Sequence, residues 1–306
     1  MVADFSEVLI AGPWEHRYVA AGGSRFHVAV TGDEDSRAPL VLLLHSFPEV
    51  WWAWRHQLPA LAEAGYRAAA IDLRGYGASD KPPMGYDMPN LCRDVAGIVR
   101  ALGAQEATIV GHGLGGVIAW SMPTVVPSIT KAVAAISAPH PARIHAAMRS
   151  LVTGPVLRAL PGALMPGRLE RKLKRSDFAA KVLREGAVMP WAPDELEVYR
   201  TAMRLPSVPH SSLEAIRWMF LNRSGATFRR YQATIRSAIR VPALQLSGRF
   251  DPFLDAKWAT VDAAALCSTF RAEQILGAGH FPHEERPDEV NRILLDWLAE
   301  ASPLPG

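Results

Sequence analysis

Residues 106–118 read EATIVGHGLGGVI, and this stretch decides the fold. A β-branched run, Thr108 to Val110, meets a glycine-dense turn, and an apolar stretch with helical potential follows. That is the strand–turn–helix pattern of a nucleophile elbow, small-x-nucleophile-x-small. The small positions are needed because the turn leaves no room for a Cβ against strand or helix. Gly111 and Gly115 take them, which puts Gly113 at the nucleophile position and Leu114 directly after it. Glycine has no side chain, so the sequence builds the socket for a nucleophile and leaves it empty.

Working outward, residues 39–45 (PLVLLLH) form a continuous apolar run, as expected of a buried parallel strand. Before it, Arg17 to Ala21 and Arg25 to Thr31 read as a hairpin through Gly22-Gly23. After it come a helix over Trp54 to Ala64, a strand over Tyr66 to Ile71 and a helix over Leu91 to Leu102 that closes at Gly103. The helix following the elbow runs to about Val126, with Pro123 expected to kink or shorten it. Ala132 to Ser137 is the next strand. This alternation predicts an α/β fold, a mostly parallel central sheet flanked by helices. Residues 141–235 lack strand pattern and carry helical segments such as Leu169 to Arg184 and Asp194 to Met203. Strands return at Val241 to Leu246 and Phe270 to Leu276, and Asp288 to Leu298 closes the chain as an amphipathic helix. The expected organisation is a core of residues 1–140 and 236–306 with a helical cap, 141–235, over the C-terminal strand ends, where open α/β sheets bind ligands.

Three loops after strands carry polar residues suited to chemistry. SGRFD, 247–251, ends in Asp251; GAGH, 277–280, ends in His280; and HSFPE occupies 45–49. In chain order the positions run nucleophile, acid, base: Gly113, Asp251, His280. A carboxylate on one imidazole nitrogen fixes the tautomer, and the other nitrogen handles the proton. Alone, a histidine in a glycine-rich loop reads as a turn or cap residue; in register with the elbow and Asp251 it reads as the base. The loop after the first buried strand would lend a backbone N–H from Phe47, and the elbow one from Leu114, to hold an oxyanion. Backbone donors survive the loss of the nucleophile.

Composition narrows the classes. The chain has 306 residues, 49% hydrophobic and 21% charged, enough for one large α/β domain plus an insertion. A formal charge of +3 gives no case for nucleic acid. The two cysteines, Cys92 and Cys267, have no metal or redox spacing and read as reduced thiols. No secretory signal and no apolar stretch of roughly 20 residues is present, so the expectation is a cytoplasmic protein without a membrane span. Gly111 to Gly116 fails as a dinucleotide site, lacking both the GxGxxG spacing and an acid at the end of the following strand. No cofactor and no metal cluster is read from the spacing. The basic run Arg168 to Arg184 is a solvated helix face or a contact for an anionic surface or acidic partner.

Residues 45–82 (HSFPEVWWAWRHQLPALAEAGYRAAAIDLRGYGASDKP), the elbow, SAPHP at 137–141, SGRFD at 247–251 and GAGHFPHEERPDEV at 277–290 together resemble the soluble epoxide hydrolases of the α/β-hydrolase superfamily and their haloalkane-dehalogenase relatives. The resemblance spans nearly the whole core. It implies the α/β-hydrolase fold, a small apolar epoxide or ester as substrate, and a mechanism in which an elbow aspartate attacks an epoxide carbon. The resulting ester is then hydrolysed by water activated by the His–carboxylate pair, and cap tyrosines bond the epoxide oxygen. It also implies that Trp51 lines the pocket, with His45 beside it.

The departures are specific. Gly113 stands for the aspartate, Leu114 for the following tryptophan, and Ser46 for the glycine of HGFP, where its side chain would re-shape the pocket. Where LEAIRWMF, 213–220, resembles a tyrosine-bearing segment, Ala215 and Ile216 stand; Tyr199, Trp218 and Tyr231 are the remaining lid candidates. Glycine rather than the alanine or asparagine usual for deliberate inactivation points to natural divergence. Two functions remain open: a hydrolase altered at residue 113, with His280 and Asp251 driving water directly, and a small-ligand-binding protein that keeps the fold. Nothing in the sequence sets the oligomeric state.

Overall fold

The computed structural model describes residues 4–32, 37–146, 167–175, 177–222, 224–255 and 263–305. Eight strands form one sheet: β1 Glu15–Ala21, β2 Ser24–Thr31, β3 Leu40–Leu44, β4 Arg67–Ile71, β5 Ala107–His112, β6 Thr130–Ile136, β7 Ala243–Gly248 and β8 Phe270–Ile275. Their spatial order is β1-β2-β4-β3-β5-β6-β7-β8. β1 and β2 are antiparallel and join β4 antiparallel, while every pair from β4 to β8 is parallel. The hairpin turns through Gly22 and Gly23, both with positive φ, which a two-residue hairpin loop matched to strand twist requires. Burial follows position. β3 and β5 are buried at every residue and lie mid-sheet, whereas β1 and β8 at the edges alternate between exposed and covered residues.

Helices flank the sheet: α1 Gln57–Glu63, α2 Met88–Ala101, α3 Gly113–Val125, and at the C-terminus α10 Pro282–Glu285 and α11 Pro287–Ala301. The Asp87 side chain caps α2 by accepting from the Asn90 amide, and its last turn gives way to Gly103 at φ +76°. α3 is apolar almost all round because it is buried under the sheet. It runs through Pro123 and ends two residues later, so the proline shortens the helix and does not break it. The helix expected over Trp54 to Ala64 is instead a 3₁₀ turn, Trp51–Trp54, followed by α1.

Between β6 and β7 the described residues form six helices: α4 Pro141–Ala146, α5 Arg168–Arg175, α6 Phe178–Gly186, α7 Pro193–Arg204, α8 Val208–Leu221 and α9 Ala226–Thr234. The basic run read as one helix is two, α5 and α6, with Asp177 at the start of the second. These helices touch the loops at the C-terminal strand ends. Tyr76 Oη donates to the Ser212 carbonyl at 2.7 Å, Ser211 Oγ donates to the Gly75 carbonyl at 2.6 Å, and the His280 amide donates to the Gly186 carbonyl at 2.7 Å. Among the described residues no helix is long and apolar enough to cross a membrane.

Candidate active site

β5 ends at His112 and α3 begins at Gly113, so strand passes into helix with no loop between. A Cβ on Gly111 would collide with the Gly115 carbonyl, and one on Gly115 with the Leu44 carbonyl of β3. Gly113 lies between them at φ +47°, in the left-handed region that costs other residues about 1–2 kcal/mol. A Cβ there would fall on the Ser46 hydroxyl, 2.8 Å from Ser46 Cβ and 3.9 Å from His280 Nε2. Ser46 and His280 therefore border one and the same space above the elbow. The Leu114 amide donates into it, to Ser46 Oγ at 3.0 Å. Phe47, the other expected backbone donor, follows Ser46 and is joined to Pro48 by a cis peptide.

His280 is held from three sides. Its Nδ1 donates to Asp251 Oδ2 at 2.8 Å, its amide to Gly186, and Phe253 and Phe281 pack edge-on against its ring. Asp251 Oδ1 accepts the amides of Phe253 and Leu254 at 2.8 and 3.0 Å, which fixes the carboxylate before it meets the imidazole. With Nδ1 carrying the hydrogen, Nε2 presents a lone pair and meets no hydrogen-bond partner among the described residues. The Asp251 side chain is 1% exposed and that of His280 13%, so the pair is closed to solvent except on the Nε2 side. Burial pulls the His280 pKa down, but the charge and hydrogen bond of Asp251 outweigh it, and the net shift is upward from 6.5.

Beneath the elbow lies a second polar group that sequence reading did not single out. Glu49 Oε2 accepts from His112 Nδ1 at 2.7 Å and from the Ser46 amide at 3.1 Å, and Glu49 Oε1 lies 3.2 Å from His283 Nε2. His112 Nε2 faces the His280 carbonyl at 2.9 Å. Burial would raise the Glu49 carboxyl, yet the two imidazoles beside it hold it well below the usual range. Both nitrogens of His112 thus face acceptors, whereas burial drives His283 down to about 4 and keeps it neutral. Glu49, His112 and His283 offer donor atoms within 4.8 Å of one another, the one such group among the described residues. The cluster that spacing did not reveal is made where the loop after β3, the end of β5 and α10 meet, and His112 Nδ1 is hydrogen-bonded to Glu49 Oε2 within it.

The remaining expected pocket residues are elsewhere employed. His45 is a core residue, fully buried, with Nδ1 on the Ser46 carbonyl and Nε2 accepting the Leu73 amide. Trp51 is also core: its indole donates to the Val8 carbonyl at 2.9 Å and packs on Trp14, His16 and His27. Tyr199 is buried and its hydroxyl donates to Glu284, which also binds Arg55. Trp218 packs on Phe228 and Tyr231, and the Tyr231 hydroxyl shares a hydrogen bond of 2.8 Å with Ser121. The hydroxyls of Tyr199 and Tyr231 are therefore both engaged. A further residue with structural work at the site is Glu285: Oε1 accepts the amides of Gly279 and Phe281, and Oε2 those of Val188 and Met189.

A family profile described as alpha/beta hydrolase fold matches residues 39–287. Epoxide hydrolase 3 of Xenopus tropicalis is 32% identical over 299 residues, covering 94% of this chain and 78% of that protein. The chain belongs to the epoxide hydrolase family of α/β-hydrolases. Epoxide hydrolase A of Mycobacterium tuberculosis is 31% identical over 323 residues, covering 92% and 96%. The crystal structure of an epoxide hydrolase from an endophytic Streptomyces superposes with a TM-score of 0.80 at 30% identity, covering 94% of this chain and 96% of that one. At the elbow, Gly113 and Ser46 share one space: the elbow residue has no side chain, and the loop residue beside it carries one into the same volume.

Proposed function

We propose that the protein is a hydrolase of the epoxide-hydrolase type, taking a small apolar epoxide or ester beneath a cap formed by the helices of residues 141–235. The observation that carries this reading is the His280–Asp251 pair at 2.8 Å, with Nε2 free and 3.9 Å from the empty Cβ position of Gly113. A neutral imidazole so oriented takes a proton from water, and Asp251 stabilises the imidazolium that results. An ester on residue 113 is ruled out by the absence of a side chain. Water would attack directly, without the covalent intermediate that divides the barrier, and turnover is correspondingly slow. The free thiols of Cys92 and Cys267 suit a reducing, cytoplasmic setting.

A second reading, a ligand-binding protein without turnover, is favoured by one observation: Ser46 Oγ occupies the Leu114 amide, a donor an oxyanion would need. The two readings part in one assay. The chain and its His280→Ala variant are run on a panel of small epoxides and aryl esters. Turnover above the His280→Ala level supports the hydrolase. Equal, background rates with saturable ligand binding support the binding protein.

A further inference from the structure

The elbow has no nucleophile, yet its space is not empty of one. A side chain on Gly113 would begin on Ser46 Oγ, and Ser46 reaches that spot from the loop after β3, the strand next to β5. Its hydroxyl accepts the Leu114 amide at 3.0 Å, the first amide after the elbow residue, and lies across the same small volume from His280 Nε2. The serine is also held. Its amide donates to Glu49 Oε2 at 3.1 Å, and its carbonyl accepts the Glu49 amide at 2.9 Å and contacts His45 Nδ1 at 2.8 Å. Four hydrogen bonds, three to its backbone and one to its hydroxyl, thus fix the buried Ser46 beside the nucleophile position.

We infer that Ser46 is a relocated nucleophile, forming with His280 and Asp251 a serine triad assembled from three loops, and that its substrate class is the carboxylic ester. The inference rests on the hydrolase reading above and replaces its water-first step with a covalent one. His280 Nε2 takes the Ser46 proton as Oγ bonds to the ester carbonyl carbon. The Leu114 amide is released from Oγ to the oxyanion formed one bond farther out. Collapse breaks the bond to the alcohol oxygen, which leaves with the proton from Nε2, and an acyl ester remains on Ser46. Water then gives its proton to Nε2 and attacks the acyl carbon; the carboxylic acid departs and Oγ regains the proton. Ester plus water becomes acid plus alcohol.

The chemistry excludes epoxide turnover by this route. An alkoxide opening an epoxide makes an ether, which has no carbonyl carbon for water to attack. An aspartate can serve an epoxide because its product is an ester; a serine can serve only an acyl donor. Epoxides would accumulate on Ser46 as stable adducts.

The test uses the intact chain, p-nitrophenyl acetate and butyrate as substrates, and a fluorophosphonate as trap, read by stopped-flow and by peptide mass spectrometry. The expected result is a burst of p-nitrophenol, a phosphonyl adduct on Ser46, and a fall of about 100-fold or more in kcat/KM for Ser46→Ala and for His280→Ala. Thermal melting of Ser46→Ala and Ser46→Gly confirms that both are folded when assayed. Ester turnover that Ser46→Ala keeps within threefold, with no adduct at residue 46, overturns the inference and leaves the direct-water hydrolase standing. An adduct on another residue overturns it as well. A folded chain with no turnover of ester or epoxide and no adduct overturns both, and leaves Ser46 as a plug.

Discussion

Gly113 and Ser46 compete for one volume, and this sets what single substitutions can do. Gly113→Asp places a Cβ on the Ser46 hydroxyl and 2.8 Å from its Cβ, which rotation about the serine side chain cannot relieve. The variant also puts a non-glycine residue at φ +47°. Its stability is expected to drop by about 2–3 kcal/mol in urea unfolding, with no gain of epoxide opening. Ser46→Gly with Gly113→Asp removes the clash and leaves the strain; this double variant is the one expected to open epoxides. A second expectation concerns His280. Its pKa is raised, so the neutral base appears only above pH 6.5, and the acidic limb of kcat/KM lies above that value. Asp251→Asn removes the partner responsible and moves the limb to lower pH while lowering the plateau by roughly 10²–10⁴-fold, which a pH–rate profile reads directly. Reading the sequence identifies both residues 46 and 113 as departures. It does not show that the two meet, because their contact depends on β3 lying beside β5, a relation between strands about 60 residues apart that no local pattern carries.

At the level of elements, the loop after β8 is stitched to the segment after α6. Glu285 collects four amides, two from the His280 loop and two from Val188 and Met189, and the His280 amide reaches the Gly186 carbonyl. Close approach makes this possible: a Cβ on Gly279 would strike the Gly186 carbonyl, and one on Gly186 would strike Phe253 and Phe281. Glu285→Ala leaves these donors unpaired and is expected to cost roughly 2–3 kcal/mol, since the outer pair regains water. Hydrogen exchange is the sharper reading: the amides of Gly279, Phe281, Val188 and Met189 should lose protection together, and distant β3 should not. The strands themselves are legible, since buried apolar runs such as LVLLL have no other use in a chain of this size. Helix boundaries are less so. WWAW begins as a 3₁₀ turn, and the basic run breaks at Asp177, because tertiary contacts decide whether a short amphipathic stretch continues. Trp51 and His45 turn to the core rather than the pocket for a related reason. An aromatic next to a site in sequence points to the other face as readily, and Trp51 points to the Val8 carbonyl.

Across the whole molecule, the buried histidines set the response to acid. His283 and His140 are both driven down to about 4 by burial. The unfolded chain binds a proton at each near 6.5, while the folded chain does so only near 4. Between those values acid therefore favours the unfolded state, and stability that is present above pH 6.5 is lost as pH falls toward 4. For a shift of this size the loss is on the order of 3 kcal/mol per histidine. His280 works in the opposite sense: its pKa is raised, so its contribution is complete below pH 6.5 and disappears as pH rises through its folded value. Glu49 joins the acidic side at lower pH, because its folded pKa lies below 4.5 and its stabilising contribution is lost as pH falls through it. Unfolding free energies in urea measured from pH 8 to pH 4 should therefore decline below 6.5, with His45, His16 and His56, which burial also pushes down, adding to the slope. His283→Gln, an isolated replacement of one of the two, should reduce that slope by about one proton while lowering stability at pH 8, where its contact with Glu49 is lost. A slope unchanged by His283→Gln would mean that His283 is already protonated in the folded state, against the lowering that its burial implies.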